Sequence, residues 1–215
     1  MKDNSLLRAF DKNARIFLQY KKNEGETTLQ YTVKPLSPAL AEAFLTYFDQ
    51  LDFCHAPDWA TCYCRFYHTG CSGAEWEKRP GEVNRAEALQ EISNGNMKGY
   101  LAFDGEKCIG WCNANDVGAY VRLREGLVPY VQGKKAGCIV CYVIDPAYRN
   151  QGVARSLLKA AVEGFRRDGL EVALAMPVVG QADVQRYRGT FNMYCELGYV
   201  EIARDGNTVI MQLLL

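Results

Sequence analysis

The sequence predicts a mixed α/β domain of the α+β kind, a central twisted mixed sheet flanked by helices. Three observations carry that expectation. Residues 138–144 (CIVCYVI) form an unbroken apolar, β-branched run between Gly137 and Pro146, as expected of a strand buried on both faces. Residues 151–168 then place Ala154, Leu157, Leu158, Ala161 and Phe165 on one helical stripe, and residues 170–176 form a second buried run. Strand, helix and strand therefore follow one another as a crossover unit. Finally, Asp104-Gly105 joins two strand-like runs, 98–103 and 107–113, as a hairpin.

The remaining elements are read in chain order. Residues 1–30 are the most polar and least patterned part and are taken as an N-terminal extension, with 15–20 (RIFLQY) a candidate strand or hairpin arm before a turn at 22–25. Residues 31–215 are taken as one domain. Residues 27–34 (TTLQYTVK) alternate and are rich in β-formers, so they predict a strand that Pro35 and Pro38 end. Residues 39–53 carry Leu40, Phe44, Tyr47, Phe48 and Leu51 at helical spacing. Residues 54–82 follow no period and predict a long structured loop, of a length that in a compact domain is usually functional or holds elements of its own. Asn84 as N-cap with Glu87 three residues on predicts a short helix over 84–93, stopped at Gly95. Residues 114–136 read as a connecting loop. Residues 190–197 predict a short helix closed by Gly198, and 199–204 and 208–215 predict two closing strands about Gly206-Asn207.

Composition narrows the function. The chain has 215 residues, with 25 Lys and Arg balanced by 25 Asp and Glu, so no basic excess points to nucleic acid. No run of eighteen apolar residues occurs, so no transmembrane helix is expected, and the first residues lack an apolar core of signal-peptide length. Nine cysteines, an odd number in a chain of this length, read as reduced thiols of a cytoplasmic protein.

The stretch from Ile144 to Ala154 carries the chemistry. A buried strand ends, the chain turns through Asp145, Pro146 and Tyr148, and Gly152 opens a long amphipathic helix. Amides at a helix start lack partners within the helix and carry the positive end of its dipole, which suits phosphate. Gly152 permits close backbone approach, and Ala154 keeps that face small. The stretch lacks the Gly-Lys-Ser/Thr of a P-loop and the three spaced glycines of a dinucleotide fingerprint.

Arg149-x-x-Gly152-x-Ala154 resembles the Arg/Gln-x-x-Gly-x-Gly/Ala signature of the GNAT superfamily of N-acetyltransferases. Val143-Ile144-Asp145-Pro146-x-Tyr148 is similar to that family's lead-in, and Met193-Tyr194-Cys195-Glu196-Leu197-Gly198-Tyr199 resembles its C-terminal motif. The resemblance covers residues 31–215. It implies acetyl-CoA as co-substrate, with Arg149, Asn150, Gln151, Gly152, Val153, Ala154 and Arg155 around the pyrophosphate and the strand edge at Val143 and Ile144 beside the pantetheine amides. It also implies Tyr194 as the acid that protonates the departing thiolate. The activity implied is acetyl transfer to a primary amine of a small molecule or peptide by direct attack, in a monomer or homodimer. The alternative is a catalytically inactive acyl-CoA-binding sensor or scaffold.

The sequence departs from the family in one respect: residues 138–144 hold no carboxylate to deprotonate the amine. His68, Glu75, Glu77, Asp116 or an ordered water path remain as candidate bases. In the loop, Cys54, His55, Cys62, Cys64, His68 and Cys71 are residue types that bind zinc, but Cys62-x-Cys64 is tighter than zinc-finger spacing, so buried thiols are the reading kept and no metal site is assigned. Trp59, Tyr63, Phe66, Tyr67 and Trp76 read as packing residues that also suit the wall of an acceptor pocket for a cationic or planar amine. Cys138, Cys141 and Cys195 lie near the expected thioester, but no His–Cys spacing supports an acyl-cysteine relay.

Overall fold

A seven-stranded mixed sheet organises the chain, and the residues of each strand account for its place in it. The computed structural model describes residues 10–11, 15–16, 31–54, 56–180 and 187–215. In chain order the elements are β1 (Phe10–Asp11), β2 (Arg15–Ile16), β3 (Thr32–Pro35), α1 (Ala41–Gln50), α2 (Gly73–Glu77), α3 (Gly81–Ser93), β4 (Gly99–Asp104), β5 (Lys107–Asp116), α4 (Arg124–Val131), β6 (Ala136–Ile144), α5 (Val153–Arg167), β7 (Val172–Ala175), α6 (Phe191–Cys195), β8 (Val200–Asp205) and β9 (Thr208–Leu214). The sheet runs β3-β4-β5-β6-β7-β9-β8, and β6 with β7 is its parallel pair. β1 and β2 pair antiparallel with each other, and the rest of the expected extension and the strand over 15–20 lie outside the described residues.

The central crossover is as expected. Five of the nine β6 residues are Ile, Val or Tyr, and most of the strand is buried. α5 buries Val153, Leu157, Leu158, Ala161 and Phe165 against one face of the sheet. Arg166 and Arg167 in its last turn favour the helix dipole, and the Leu170 N–H returns to the Phe165 carbonyl at 3.0 Å to close it. α1 covers the opposite face, where Phe44 meets Trp111 of β5 edge-on with ring centroids 5.0 Å apart.

Three expectations are corrected. The connecting segment 114–136 contains three more residues of β5 and the helix α4; Pro129 and a weak apolar stripe hide that helix. The loop over 54–82 contains α2, which Ser72 and Glu75 close as a capping box, and two short 3₁₀ turns. The helix expected to start at Asn84 starts at Gly81, preceded by Pro80. Asn84 is buried inside it, donating to the Thr61 carbonyl (2.9 Å) and accepting from Arg79 Nε (2.7 Å), so its amide ties the helix to the loop instead of capping it. No helix among the described residues is long and apolar enough to cross a membrane.

Candidate active site

The site begins where the sheet divides. β6 and β7 face one another from Ala136↔Val172 to Ile139↔Ala175 and no further. Against β5, β6 passes from Cys141↔Asn113 to Ile139↔Ala114, two residues against one, so Val140 is a β-bulge. Beyond it, residues 141–144 continue to pair with β5. The chain after β7 instead follows β9: Val178 bridges Thr208, the Val209 N–H donates to the Pro177 carbonyl (2.9 Å), and the Val179 N–H donates to the Asn207 carbonyl (2.9 Å). The two halves of the sheet therefore part between β6 and β7, leaving a gap beside residues 140–144.

The gap leads to the turn before α5. Asp145 starts that turn by accepting from the Ala147 N–H (2.9 Å), and it pairs with Lys107 Nζ (2.9 Å). Tyr148 donates to Asp104 (2.9 Å), which ties the turn to the β4–β5 hairpin. Asn150 and Gly152 both take left-handed backbone angles, with φ of 60° and 86°. At Gly152 that conformation costs no side-chain clash, and it turns the chain into α5. The Ser156 N–H donates to the Gly152 carbonyl (3.1 Å), so the amides of the first turn precede any partner within the helix.

The residues singled out from the sequence fall as follows. Val143 and Ile144 end β6, and both carbonyls are engaged: Val143 accepts from Tyr47 Oη (2.9 Å) and Ile144 from Arg149 Nε (3.2 Å). Gln151 folds back onto the Ala147 carbonyl (2.8 Å). Val153 is buried, Ala154 packs partly against the core, and Arg155 forms a forked ion pair with Glu196 (2.6 and 2.9 Å). Tyr194 is fully buried on the α5 side of the sheet, donating to the Arg188 carbonyl (2.8 Å), with its hydroxyl 3.5 Å from that of Tyr142 on β6. Burial pushes the Tyr194 phenol well above its ordinary value, so it is held protonated, as a donor.

On the other face, Cys141 and Val143 border a cavity of about 260 Å³. Phe48 of α1, Trp59 and Phe66 of the loop, Trp76 of α2 and Tyr187 supply aromatic walls, and Asp58 is the carboxylate among the described lining residues. Trp59 meets Tyr187 edge-on at 5.1 Å and Phe66 meets Trp76 edge-on at 5.2 Å. The part played by Asp58, Phe48 and Tyr187 is not visible in the sequence: Phe48 belongs to the same apolar stripe as core residues, and nothing in the sequence around Asp58 or Tyr187 marks them out.

None of the four candidate bases lines this cavity. His68 contacts the Ala119 carbonyl through Nδ1 (3.2 Å) and Asn113 Nδ2 through Nε2 (3.2 Å), so its lone pair is taken. Burial first, then the Arg65 charge, lowers its pKa to about 4. Glu75 accepts the Ser72 N–H (2.7 Å), Glu77 lies exposed on α2, and Asp116 accepts the Gly118 N–H (2.7 Å). The cysteine-rich loop does not converge either. Trp111 Nε1 donates to Cys64 Sγ (3.1 Å), Arg122 donates to Cys71 Sγ (3.2 Å), and Cys54 is exposed. Among the described residues no group of three or more His, Cys, Asp or Glu is placed to hold a metal; His55 lies outside them.

Comparison with known proteins bears on the family and the fold. Residues 58–188 match the model of the acetyltransferase (GNAT) family. No curated protein matches the chain. Among solved structures, the PaiA N-acetyltransferase of Thermoplasma acidophilum, in complex with coenzyme A, is 14% identical with a TM-score of 0.50, covering 86% of this chain and 99% of its own. The ribosomal-protein-S5-alanine acetyltransferase of Vibrio fischeri is 15% identical with a TM-score of 0.50, covering 88% and 95%. The Drosophila melanogaster polyamine N-acetyltransferase is 12% identical with a TM-score of 0.51, covering 86% and 100%. At such identities these are likenesses of fold. The family model spans the aromatic loop, the divided sheet and the glycine turn before α5, and the chain belongs to the acetyltransferase (GNAT) family.

Proposed function

We infer that the chain transfers the acetyl group of acetyl-CoA to a primary amine. The observation that carries this reading is that the pairing of β6 with β7 stops at Ile139, ahead of the Gly152 turn: an extended thioester arm would lie along the unpaired edge of residues 140–144 while phosphates meet the first amides of α5. The solved relatives of similar fold include enzymes named for acetylation of a ribosomal-protein alanine and for formation of N-acetylagmatine, which supports an amine as acceptor.

The two faces of β6 divide the labour. Cys141 and Val143 face the aromatic cavity, and Tyr142 faces Tyr194. An amine in the cavity attacks the thioester carbonyl from the α1 side. The carbon–sulfur bond breaks, the thiolate leaves toward the α5 side, and Tyr194 gives it a proton. For this, the Tyr194 hydroxyl exchanges the Arg188 carbonyl for the sulfur. Water at the cavity mouth takes one proton from the ammonium group before attack, and the proton that the nitrogen sheds after addition returns through water to Tyr194, so one proton is released per turnover. The experiment is release of CoA from acetyl-CoA with a panel of amines, with the acetylated product identified by mass. No product with any amine, although acetyl-CoA binds, would support the sensor or scaffold reading instead.

A further inference from the structure

The cavity on the α1 side constrains what amine it takes. Its volume of about 260 Å³ lies below the roughly 300–1,000 Å³ of sites for drug-sized ligands. Its walls come from separate elements and stand at right angles in pairs: Trp59 against Tyr187 at 82°, and Phe66 against Trp76 at 75°. Aromatic rings from separate elements lining one small cavity suit a flat apolar group, which can add stacking or edge contacts to theirs.

The deep end is apolar or already satisfied. Asn113 reaches the lining, but its amide donates to the Cys64 carbonyl (3.3 Å) and meets His68 Nε2 (3.2 Å), while its oxygen accepts from Tyr120 Oη (3.0 Å). Tyr67 and Tyr187 bond each other through their hydroxyls (3.2 Å). Arg188 also lies against this wall, its Nε donating to the Tyr187 hydroxyl (3.2 Å) and its guanidinium 5.6 Å from the Tyr187 ring centroid, so a second ammonium group carried into this end would lose its water and meet a like charge. Asp58, exposed at the rim, is placed to draw an amine inward without following it.

We propose that the acceptor is a compact monoamine carried on an aromatic or similarly flat apolar group, with the ring held among Trp59, Phe66, Trp76 and Tyr187 and the amine directed at Cys141 and Val143. The orientation follows from the gap: only the β6 side of the cavity borders the place where the acetyl carbonyl lies. This proposal rests on the acetyltransferase reading above and deepens it.

The test compares phenethylamine and tryptamine with spermidine and a tripeptide bearing a free N-terminus. Binding to the CoA-loaded protein is measured by calorimetry, and turnover by CoA release. The ring amines are expected to bind and turn over at least tenfold better than spermidine or the tripeptide. Trp59→Ala should lower kcat/KM for tryptamine at least tenfold, mainly through KM, with Trp59→Phe restoring most of it. Asp58→Asn, at an exposed position, should raise KM for the ring amines by several-fold. Equal or better use of spermidine or the tripeptide would overturn the proposal, as would ring-amine binding that Trp59→Ala leaves unaltered. If acetyl-CoA and CoA themselves fail to bind, it is the acetyltransferase reading that falls. Binding of the ring amines to the unloaded protein then still decides whether the cavity is an amine pocket.

Discussion

Ile139 and Ala175 are the last facing pair between β6 and β7. Val140, the next residue, is bulged, and from there each strand keeps only its outer partner: β6 stays with β5, and the chain after β7 stays with β9. One extra residue thus turns a continuous sheet into one with a slot, and the slot ends at a helix start. The bulge supplies the change of direction, and the buried β-branched residues on either side hold the two halves in place.

The Gly152 turn should separate a conformational effect from an electrostatic one. Gly152→Ala is expected to cost about 1 kcal/mol of stability, because any side chain at φ of 86° is strained, and to weaken acetyl-CoA binding only modestly. Gly152→Glu should cost similar stability but weaken binding roughly a hundredfold, because a carboxylate then competes with phosphate for the same amides. Denaturation and calorimetry on both variants check this. Equal affinities in the two would place the phosphates elsewhere.

Tyr194→Phe removes a hydroxyl that donates to the Arg188 carbonyl. The loss of that bond should cost about 1 kcal/mol of stability. Turnover should fall by roughly a hundredfold or more while acetyl-CoA affinity stays within a few-fold, since the group acts on the departing sulfur. Steady-state kinetics beside equilibrium binding decides. Unaltered turnover would remove the acid role.

How much of this is legible in the sequence depends on the kind of interaction. The strand over 138–144, the helix after Gly152 and the Asp104-Gly105 hairpin are written in local patterns of one element each, and the structure has them within a few residues. α4 is not legible, because its apolar stripe is weak and Pro129 interrupts it. The start of α3 is misread because Asn84 has the chemistry of a cap but is drawn inward by Thr61 and Arg79, two tertiary partners. The glycine turn is legible as a helix start that suits an anion. The aromatic cavity is only half legible: the loop aromatics are visible as a cluster, but their meeting with Phe48 and Tyr187 depends on contacts between distant segments. His68 is likewise a reasonable base by residue type, and only its placement against Asn113 and Ala119 removes it.

That placement has its own consequence for pH. His68 has a folded pKa of about 4 against about 6.5 unfolded. Between these values the unfolded chain binds a proton that the folded chain does not. The stability that neutral His68 supports is therefore complete above about pH 6.5 and is lost as pH falls toward 4, by about 3 kcal/mol in all. Urea unfolding at pH 7 and at pH 4.5 should show a smaller loss for His68→Gln than for the unaltered chain. An identical loss in both would mean that His68 does not set the slope.

Packing between α5 and the sheet makes a sharper demand. A Cβ on Gly164 would lie 1.6 Å from the hydroxyl of Tyr100, a buried side chain of β4. Gly164→Ala should therefore destabilise by about 1–3 kcal/mol through overpacking, although alanine is the better helix former. Gly164→Ala combined with Tyr100→Phe should recover part of that loss. Thermal unfolding of the single and double variants reads it directly.

The measurement closest to the central claim is calorimetric titration of the purified protein with acetyl-CoA and with free CoA. If the gap beside residues 140–144 and the first turn of α5 form a cofactor site, both ligands bind one per chain with micromolar affinity. A folded protein that binds neither would contradict the assignment of that gap.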